Sequence, residues 1–244
     1  MQLIPNEVTA YLSQYQYKIE LHAHTSPCSG CSELPPKEFI RRLHEQKYDT
    51  VVVTNHFYAN GPFQNNTDDP VGKYLSDYYA AKEEGERVGM TVLLGAEFRF
   101  EENSNDYLVF GIDEAFLRET VTQFSLTYRQ FYEKYSDPSR LILQAHPFRN
   151  GIVAMDGAHM DAIEAFNMHP GHNSRPATSA RYADAENIPI LTVGTDLHHP
   201  GHEGSSALRA KIKPQNNAEL VALLRSQDYL FEIGGRPLLP YYIF

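Results

Sequence analysis

The chain has 244 residues, of which 42% are hydrophobic and 21% are charged, a balance typical of an ordinary globular protein. Its formal net charge of −10 argues against the basic surface of a general nucleic-acid binder, so we expect no long nucleic acid as a partner. Two cysteines cannot build a disulfide framework. Because the chain shows neither a signal peptide nor an apolar run near the roughly 20 residues of a membrane span, we expect a cytoplasmic protein without a membrane partner.

Short apolar runs alternate along the chain with longer amphipathic segments. The apolar runs predict strands over Tyr17–His24, Thr50–Thr54, Thr91–Phe98, Tyr107–Gly111, Leu141–His146, Ala162–Asn167 and Ile190–Asp196. The amphipathic segments predict helices over Pro35–Gln46, Tyr74–Val88, Thr120–Tyr135, Ser174–Glu186 and Asn217–Arg225. Such alternation indicates parallel strands with helices outside them. A barrel is favoured over an open nucleotide-binding sheet, because no GxGxxG or P-loop pattern follows the first strand.

Side chains that can bind metal recur at the C-terminal ends of the predicted strands. They are His22, His24, His56, Glu97, His146, Asp196 and His198. In a barrel of parallel strands these ends converge on one face. His22 and His24 stand two residues apart and therefore face the same side of an extended strand. Imidazoles together with carboxylates suit zinc, iron or manganese, and Glu97 could bridge two such ions.

The cysteines and the remaining histidines are interpreted differently. Cys28 and Cys31 have CxxC spacing, but a zinc ribbon needs a second pair, and a thioredoxin-like motif belongs at a helix start in another context. We therefore interpret this segment as a turn at the mouth of the site, with a metal contact by Cys31 left open. His44, on a helix, and the loop histidines are interpreted as surface residues; the latter are His159, His199 and His202. His169 and His172 follow a strand end, where we expect substrate contacts.

Taken in order, the motifs resemble those of the PHP family, the polymerase and histidinol phosphatase domain. The matching segments are His22-Ala23-His24, Thr54-Asn55-His56, Gly95-Ala96-Glu97, Ala145-His146-Pro147 and Asp196-Leu197-His198. The strand Ile163–Asn167 is similar to the acidic-aromatic-Asn strand of the family. The chain departs from the family at Asn55, where aspartate is usual, and at Ser29 and Gly30, where many members have Asp or His.

The resemblance implies an α/β fold, a distorted (β/α)7 TIM-like barrel of the PHP type that spans residues 1–244 as one domain. It also implies two or three divalent zinc, manganese or iron ions at the strand ends. Carried over by position, the ligands are His22, His24, Glu97 and Asp196 for the first ion, Glu97 and His146 for the second, and His56 and His198 for the third. Asp106 stands about where members use a further ligand, near the start of the fourth strand.

The predicted activity is hydrolysis of a phosphate ester by a metal-activated hydroxide, with Glu97, Asp196 and Arg149 as catalytic residues. Arg149 follows His146 by three residues, and Arg175 opens a predicted helix; both guanidinium groups suit phosphate. With His169 they are the predicted contacts to a small phosphorylated metabolite or nucleotide. Two alternatives stay open, a metal-dependent amidohydrolase on the same barrel and a non-catalytic PHP accessory module. The oligomeric state also stays open.

Overall fold

The computed structural model describes residues 5–239 of the chain. Within this range the helices are α1 (Pro5–Leu12), α2 (Pro36–Glu45), α3 (Pro70–Val88), α4 (Glu114–Thr120), α5 (Tyr128–Tyr135), α6 (Pro176–Ala185) and α7 (Asn217–Ser226). The strands are β1 (Tyr17–Ala23), β2 (Thr50–Val53), β3 (His56–Tyr58), β4 (Thr91–Leu94), β5 (Ala96–Arg99), β6 (Asp106–Phe110), β7 (Leu141–Gln144), β8 (Ala162–Asn167), β9 (Ile190–Gly194), β10 (Ser206–Ala210), β11 (Tyr229–Ile233) and β12 (Arg236–Leu238). None of the helices between residues 5 and 239 combines the length and apolar character needed to cross a bilayer. The predicted domain also includes residues 1–4 and 240–244, which lie outside the described residues.

These strands form two mixed sheets of six strands each rather than one ring of parallel strands. The first sheet has the order β12-β11-β10-β1-β2-β4, and the second has the order β3-β5-β6-β7-β8-β9. The predicted α/β class is confirmed, whereas a closed TIM barrel is not, because hydrogen bonding divides the strands between two sheets. The strands predicted over Thr50–Thr54 and Thr91–Phe98 end or break where the chain passes from the first sheet to the second.

The break between β4 and β5 falls at Gly95. A Cβ atom at this position would lie 2.8 Å from Cγ1 of Val52 and 3.3 Å from Cδ1 of Phe110. The crossing therefore has no room for a side chain. On the opposite side, the backbone N–H of His24 donates to the carbonyl of Leu197 at 3.0 Å, which links β1 to the segment that follows β9.

Strand β6 runs antiparallel to both of its neighbours, β5 and β7, against the expectation of parallel strands. Its connection from β5 spans only residues 100–105, which is too short for the crossover helix that a parallel pair requires. This reversal has a consequence for the site. Asp106, at the start of β6, pairs with Arg99 at the end of β5 and so lies at the edge where the parallel strands end.

Register between β3 and β5 separates a polar face from an aromatic one. His56 is the strand partner of Glu97, and Phe57 is the partner of Phe98, with the two rings 4.9 Å apart between centroids. Because side chains alternate along a strand, the two polar residues point away from the two aromatic ones. The phenylalanines belong to a buried aromatic cluster that also includes Phe131. Core packing therefore fixes the strands that carry His56 and Glu97.

The single helix predicted over Thr120–Tyr135 is wrong, because α4 ends at Thr120 and α5 begins only at Tyr128. Thr127 forms a capping box with Gln130: its Oγ1 accepts from the Gln130 N–H at 3.2 Å, and Oε1 of Gln130 accepts from the Thr127 N–H at 3.0 Å. These bonds satisfy donors that have no partner inside a helix, so they favour a helix start at this point.

Replacing Thr127 with Ala removes this cap, and we expect the free energy of unfolding to fall by about 1 kcal/mol. Thr122→Ala, at an exposed position in the linker before α5, is the control and should change stability by less than ~0.5 kcal/mol. Urea unfolding followed by circular dichroism measures both variants. Equal effects of the two substitutions would refute the cap as the cause of the helix break.

Candidate metal centre

Two fully buried imidazoles, those of His22 on strand β1 and of His24 directly after it, face two carboxylates. The Nε2 atom of His22 lies 3.2 Å from Oε1 of Glu97 and 3.4 Å from Oδ1 of Asp196. The Nε2 atom of His24 lies 3.5 Å from Oε2 of Glu97 and 3.4 Å from the same Asp196 oxygen. The spacing of two residues thus places both rings on one side of the strand, as the sequence predicts.

The Glu97 carboxylate receives two further imidazoles. The Nδ1 atom of His56 lies 2.7 Å from Oε2, and the Nε2 atom of His146 lies 3.2 Å from Oε1. His198 completes the group of rings, with its centroid 4.2 Å from that of His24. Glu97 is therefore the residue around which four of the predicted ligands gather.

Two of the candidate ligands adopt an uncommon backbone conformation. His146 has a φ of 31° and Asp196 has a φ of 53°, in the left-handed region that residues other than glycine seldom occupy. Each residue follows the end of a strand, β7 or β9. Strained residues of this kind cluster at functional sites, where the surrounding structure holds them in place.

Asp106 pairs with an arginine as well as approaching the histidines. Its carboxylate accepts from Nε of Arg99 at 2.7 Å and from Nη2 at 2.8 Å, which is a bidentate pair. Its Oδ2 atom also lies 3.7 Å from Nε2 of His146. Asp106 is thus placed at the side of the centre, between Arg99 and the predicted ligands.

All eight predicted metal ligands belong to groups of three whose ligand atoms lie within 4.8 Å of one another. The groups are His22–His24–Asp196, His22–Glu97–His146, His56–Glu97–Asp106 and His24–His56–His198. Several of these atoms are buried and, despite short contacts, make no hydrogen bond of acceptable geometry with any described residue, although buried polar atoms normally have a partner; they are Nε2 of His22, Nε2 of His24, Nδ1 of His56 and Oε2 of Glu97. A divalent cation among these donors would satisfy them, so the residues fit the metals that imidazole and carboxylate ligands prefer.

Electrostatics favours the protonation states that bind metal at two of these ligands. Burial, reinforced by the neighbouring His198 and His56, holds the pKa of His24 well below its usual value. Burial alone would raise the pKa of Glu97, but His22 and His56 hold it well below the usual range. A neutral His24 and an ionised Glu97 are the forms that donate electron pairs to a cation.

Glu164, to which no sequence motif assigned a role, contacts two of the candidate ligands, His22 and His146. Its Oε1 atom lies 2.8 Å from Nδ1 of His22, and its Oε2 atom accepts from the backbone N–H of His146 at 2.9 Å and from Nδ2 of Asn167 at 3.0 Å. A carboxylate on the far nitrogen of a ligating histidine fixes its tautomer and orientation. A charged residue between the apolar Ile163 and Ala165 of a predicted strand was the available signal.

Asn55 and Ser29, the positions that depart from the family pattern, lie behind the ligands. The side-chain oxygen of Asn55 accepts from the backbone N–H of Thr25 at 2.7 Å and from the hydroxyl of Ser29 at 3.0 Å. Oγ of Ser29 lies 3.2 Å from Nδ1 of His24 and accepts from the backbone N–H of His56 at 2.9 Å. Together they position the two histidines through hydrogen bonds.

Two adjoining cavities open onto the centre, with volumes of about 240 and 300 Å³. Both are lined by Arg99, Asp106, His146 and Arg149. The smaller is also lined by Cys31, His169, His172, Asp196, His198 and His199, among others. A larger cavity of about 630 Å³ lies between α3, β4 and the start of α7, and none of the candidate ligands lines it. Carboxylates such as those of Glu86 and Glu114 line it, but no imidazole among the described residues does.

The predicted substrate contacts differ in where the structure places them. Arg149 contacts Oδ2 of Asp196 and donates to Oδ1 of Asn167 at 3.0 Å, while its buried Nε has no hydrogen-bond partner within residues 5–239. His169 is buried at the cavity wall, and this burial lowers its pKa to about 4. Arg175 instead donates to Oδ1 of Asn150 and to a backbone carbonyl, and it lines neither cavity, so its phosphate contact stays a prediction.

Cys31 also lines the smaller cavity, while Cys28 is buried elsewhere beside Asp77. Burial alone would raise the pKa of Cys31, but hydrogen bonds from His198 and His56 lower it to about 6. The turn that contains Cys28 and Cys31 thus reaches the mouth of the site, as predicted from the sequence. The two thiols point to different surroundings and are both free.

A family model described as the PHP domain matches residues 20–223 of the chain. Among solved structures, the chain is similar to a two-domain protein from Bacteroides vulgatus that contains a predicted PHP-like metal-dependent phosphoesterase, with a TM-score of 0.66 and 14% identity. That match covers 89% of this chain and 64% of the other, so the chain spans less than two thirds of that relative. A second similar structure is an amidohydrolase from Chromobacterium violaceum with bound sulfate and no metal, at a TM-score of 0.50, 15% identity, and coverage of 76% of this chain and 89% of that one. No curated protein matches the chain.

Replacing Glu164 with Gln should weaken the binding of a divalent ion by about 10- to 100-fold, because His22 loses the carboxylate that orients its ring. Competition with a chelator of known affinity measures the binding of zinc or manganese. Glu133→Gln, whose side chain is 62% exposed, is the matched control and should leave the affinity unchanged. Equal metal affinities in Glu164→Gln and the wild type would refute this role, provided that both melt at similar temperatures.

Proposed function

Because the chain belongs to the PHP domain family, we propose that it hydrolyses the phosphate ester of a small phosphorylated metabolite or nucleotide. Its cofactors would be two or three zinc, manganese or iron ions. The ligands would be His22, His24, His56, Glu97, Asp106, His146, Asp196 and His198. When bound, such ions supply Lewis acidity and activate water near neutral pH.

The observation that carries the proposal is the state of Arg149. It lines both cavities beside the centre, and its buried Nε donor has no partner in the described part of the chain. An unpaired buried donor on a cation is costly, and an incoming oxyanion would satisfy it. Arg99 lines the same two cavities, so a second guanidinium faces the substrate. Two planar cations at one wall suit a phosphate group.

The position of each residue near the substrate supports a specific role in binding or catalysis. Glu97 and Asp196 hold the cofactor at the floor of the cavity, while Arg149 binds the phosphate and stabilises negative charge that develops on its oxygens. His169 carries a neutral imidazole at the wall; because its Nδ1 accepts the Gly171 N–H, its Nε2–H can donate a hydrogen bond to the leaving group.

The two alternatives predict different surroundings for the centre. An amidohydrolase acts on an uncharged amide and has no need of cations at the wall, whereas this wall has two arginines. A non-catalytic module has no need of a cavity beside its metal, whereas here two cavities reach the ligands. Both features support the phosphoesterase.

The distorted barrel fits the same proposal. β2 leads into β3 and β4 leads into β5, so each pair counts as one bent strand that crosses between the sheets. With these two, β1, β6, β7, β8 and β9 make seven strand positions around the centre. We infer one PHP-type domain over residues 1–244 on this basis, with the link between His24 and Leu197 closing the ring.

Purified protein should hydrolyse aryl phosphates or members of a panel of sugar phosphates and nucleotides only when manganese, zinc or iron is supplied. Arg149→Gln should lower kcat/KM by roughly 100-fold, the loss typical when one stabilising donor to a developing charge is removed. Arg181→Gln, an exposed arginine on α6, is the matched control and should keep full turnover. Full turnover after metal is stripped, or no turnover with any of the three metals, would contradict the phosphoesterase.

Glu97→Gln separates an enzyme from a scaffold. Removing the charge while keeping the shape should abolish both tight metal binding and turnover, because Glu97 approaches four imidazoles. Elemental analysis and turnover are measured on the same preparation, with Glu101→Gln, an exposed neighbour, as control. A variant that changes only in melting temperature, with no wild-type turnover to lose, would favour the accessory module.

A further inference from the structure

The side-chain amide of Asn167 lies at the end of β8 and is almost completely buried. Its Nδ2 atom donates to Oε2 of Glu164 at 3.0 Å and to Oδ2 of Asp196 at 3.2 Å. Its Oδ1 atom accepts from Nη2 of Arg149 at 3.0 Å and from the hydroxyl of Ser174 at 3.1 Å. The nitrogen of the amide thus faces two carboxylates, and its oxygen faces a cation and a hydroxyl.

These partners allow only one orientation of the Asn167 amide. Rotating it by 180° would place its oxygen against the carboxylates of Glu164 and Asp196 and its NH2 group against the guanidinium of Arg149. None of these pairs can form a hydrogen bond, and a buried polar group without a partner is costly. The amide therefore presents its oxygen to Arg149 in a fixed direction.

Arg149 is held through a single nitrogen atom of its guanidinium. Its Nη2 atom donates to Oδ1 of Asn167 and contacts Oδ2 of Asp196, whereas its buried Nε has no hydrogen-bond partner among residues 5–239. Arg99 differs, because Asp106 accepts from both its Nε and its Nη2. Arg149 is thus anchored at one nitrogen while a second, buried donor stays available to an oxyanion.

The two partners of Nη2 would respond differently to a bound cation. Asp196 is a proposed metal ligand, so an ion bound there would share its negative charge and weaken its pair with Arg149. Asn167 is uncharged, and its oxygen points at donors rather than at the candidate ligands. Its hydrogen bond to Arg149 would therefore persist in the metal-loaded protein.

From this geometry we propose that Asn167 is a positioning residue, which holds the guanidinium of Arg149 at the cavity wall in the metal-loaded protein so that it binds the phosphate of the substrate. The proposal rests on the proposed function for the phosphate group. The same Oδ1 atom also accepts from the backbone N–H of His169 at 3.3 Å, which fixes the start of the loop after β8 beside the arginine.

The test is a double-mutant cycle on the binding of inorganic phosphate to manganese-loaded protein, measured by isothermal titration calorimetry. Asn167→Ala alone should raise the dissociation constant of phosphate roughly tenfold, because the guanidinium is no longer held. In the Arg149→Gln background the same substitution should change that constant by less than about twofold, because the residue through which Asn167 acts is absent. A merely structural role would weaken phosphate binding in both backgrounds alike.

Asn173→Ala is the matched control, because Asn173 is exposed on the same loop and accepts from the backbone N–H of Arg175 at 3.3 Å. It should bind phosphate as the wild type does. All proteins are compared at equal manganese content, with folding checked by thermal melting, and Asn167→Ser takes the place of Asn167→Ala in the cycle if the latter does not fold. Equal losses in the two backgrounds, or phosphate binding by the Asn167 variant as tight as in the wild type, would overturn the role.

Turnover of an aryl phosphate is measured on the same preparations as an independent readout. The effects of the two substitutions on kcat/KM should be non-additive in the same way as those on phosphate binding. Absent turnover in the wild type, with a non-additive cycle for phosphate binding, would count against the phosphoesterase and not against the position of Arg149. Turnover in the wild type with additive losses in the cycle would count against Asn167 alone.

Discussion

The buried carboxylate of Glu97 is the constraint on which the rest of the centre depends. Its oxygens lie within 3.5 Å of nitrogen atoms of His22, His24, His56 and His146. A carboxylate removed from water is costly unless opposite charge compensates it. Burial holds the pKa of His24 well below its usual value, whereas at His22 and His56 the effect of burial is outweighed by nearby carboxylates, Glu97 among them, which raise the pKa well above it. A divalent cation supplies positive charge to Glu97 without requiring any of these rings to hold a proton, and this links metal content to the stability of the fold.

Two local departures from a regular barrel bring the candidate ligands together. The bends around Gly95 and Thr54 let two strands change sheets just before Glu97 and His56. The reversal of β6 brings the first residue of that strand, Asp106, to the edge where the other strands deliver their last residues. Both departures depend on short connections and close packing. At Gly95, for example, an added Cβ atom would lie only 2.8 Å from Cγ1 of Val52.

The clustering of the candidate ligands could largely be predicted from the sequence, because they combine distinctive residue types with a repeated position at strand ends. Glu164 could not be assigned, since its role rests on a contact with His22 across 142 positions of sequence. The helix break at Thr127 depends on a cap that a pattern of apolar residues does not reveal. His199 was interpreted as a surface residue, yet it lines the cavity. The periodicity of apolar residues indicates which face of one helix or strand is buried, but it does not indicate which helices and strands contact each other.

The arginines at the cavity wall are tied to the same carboxylates that the proposed ions would use. Arg149 contacts Asp196, and Arg99 forms a bidentate pair with Asp106. A cation bound to either carboxylate would share the negative charge that otherwise attracts the arginine's guanidinium group alone. Cation binding would therefore weaken the ion pairs Arg149–Asp196 and Arg99–Asp106, so that both guanidinium groups could bind an anion more readily. Since linkage of two binding equilibria is reciprocal, an anion held by the arginines strengthens cation binding to the same degree. Under the proposed function, substrate and metal affinity would therefore be coupled through Asp196 and Asp106.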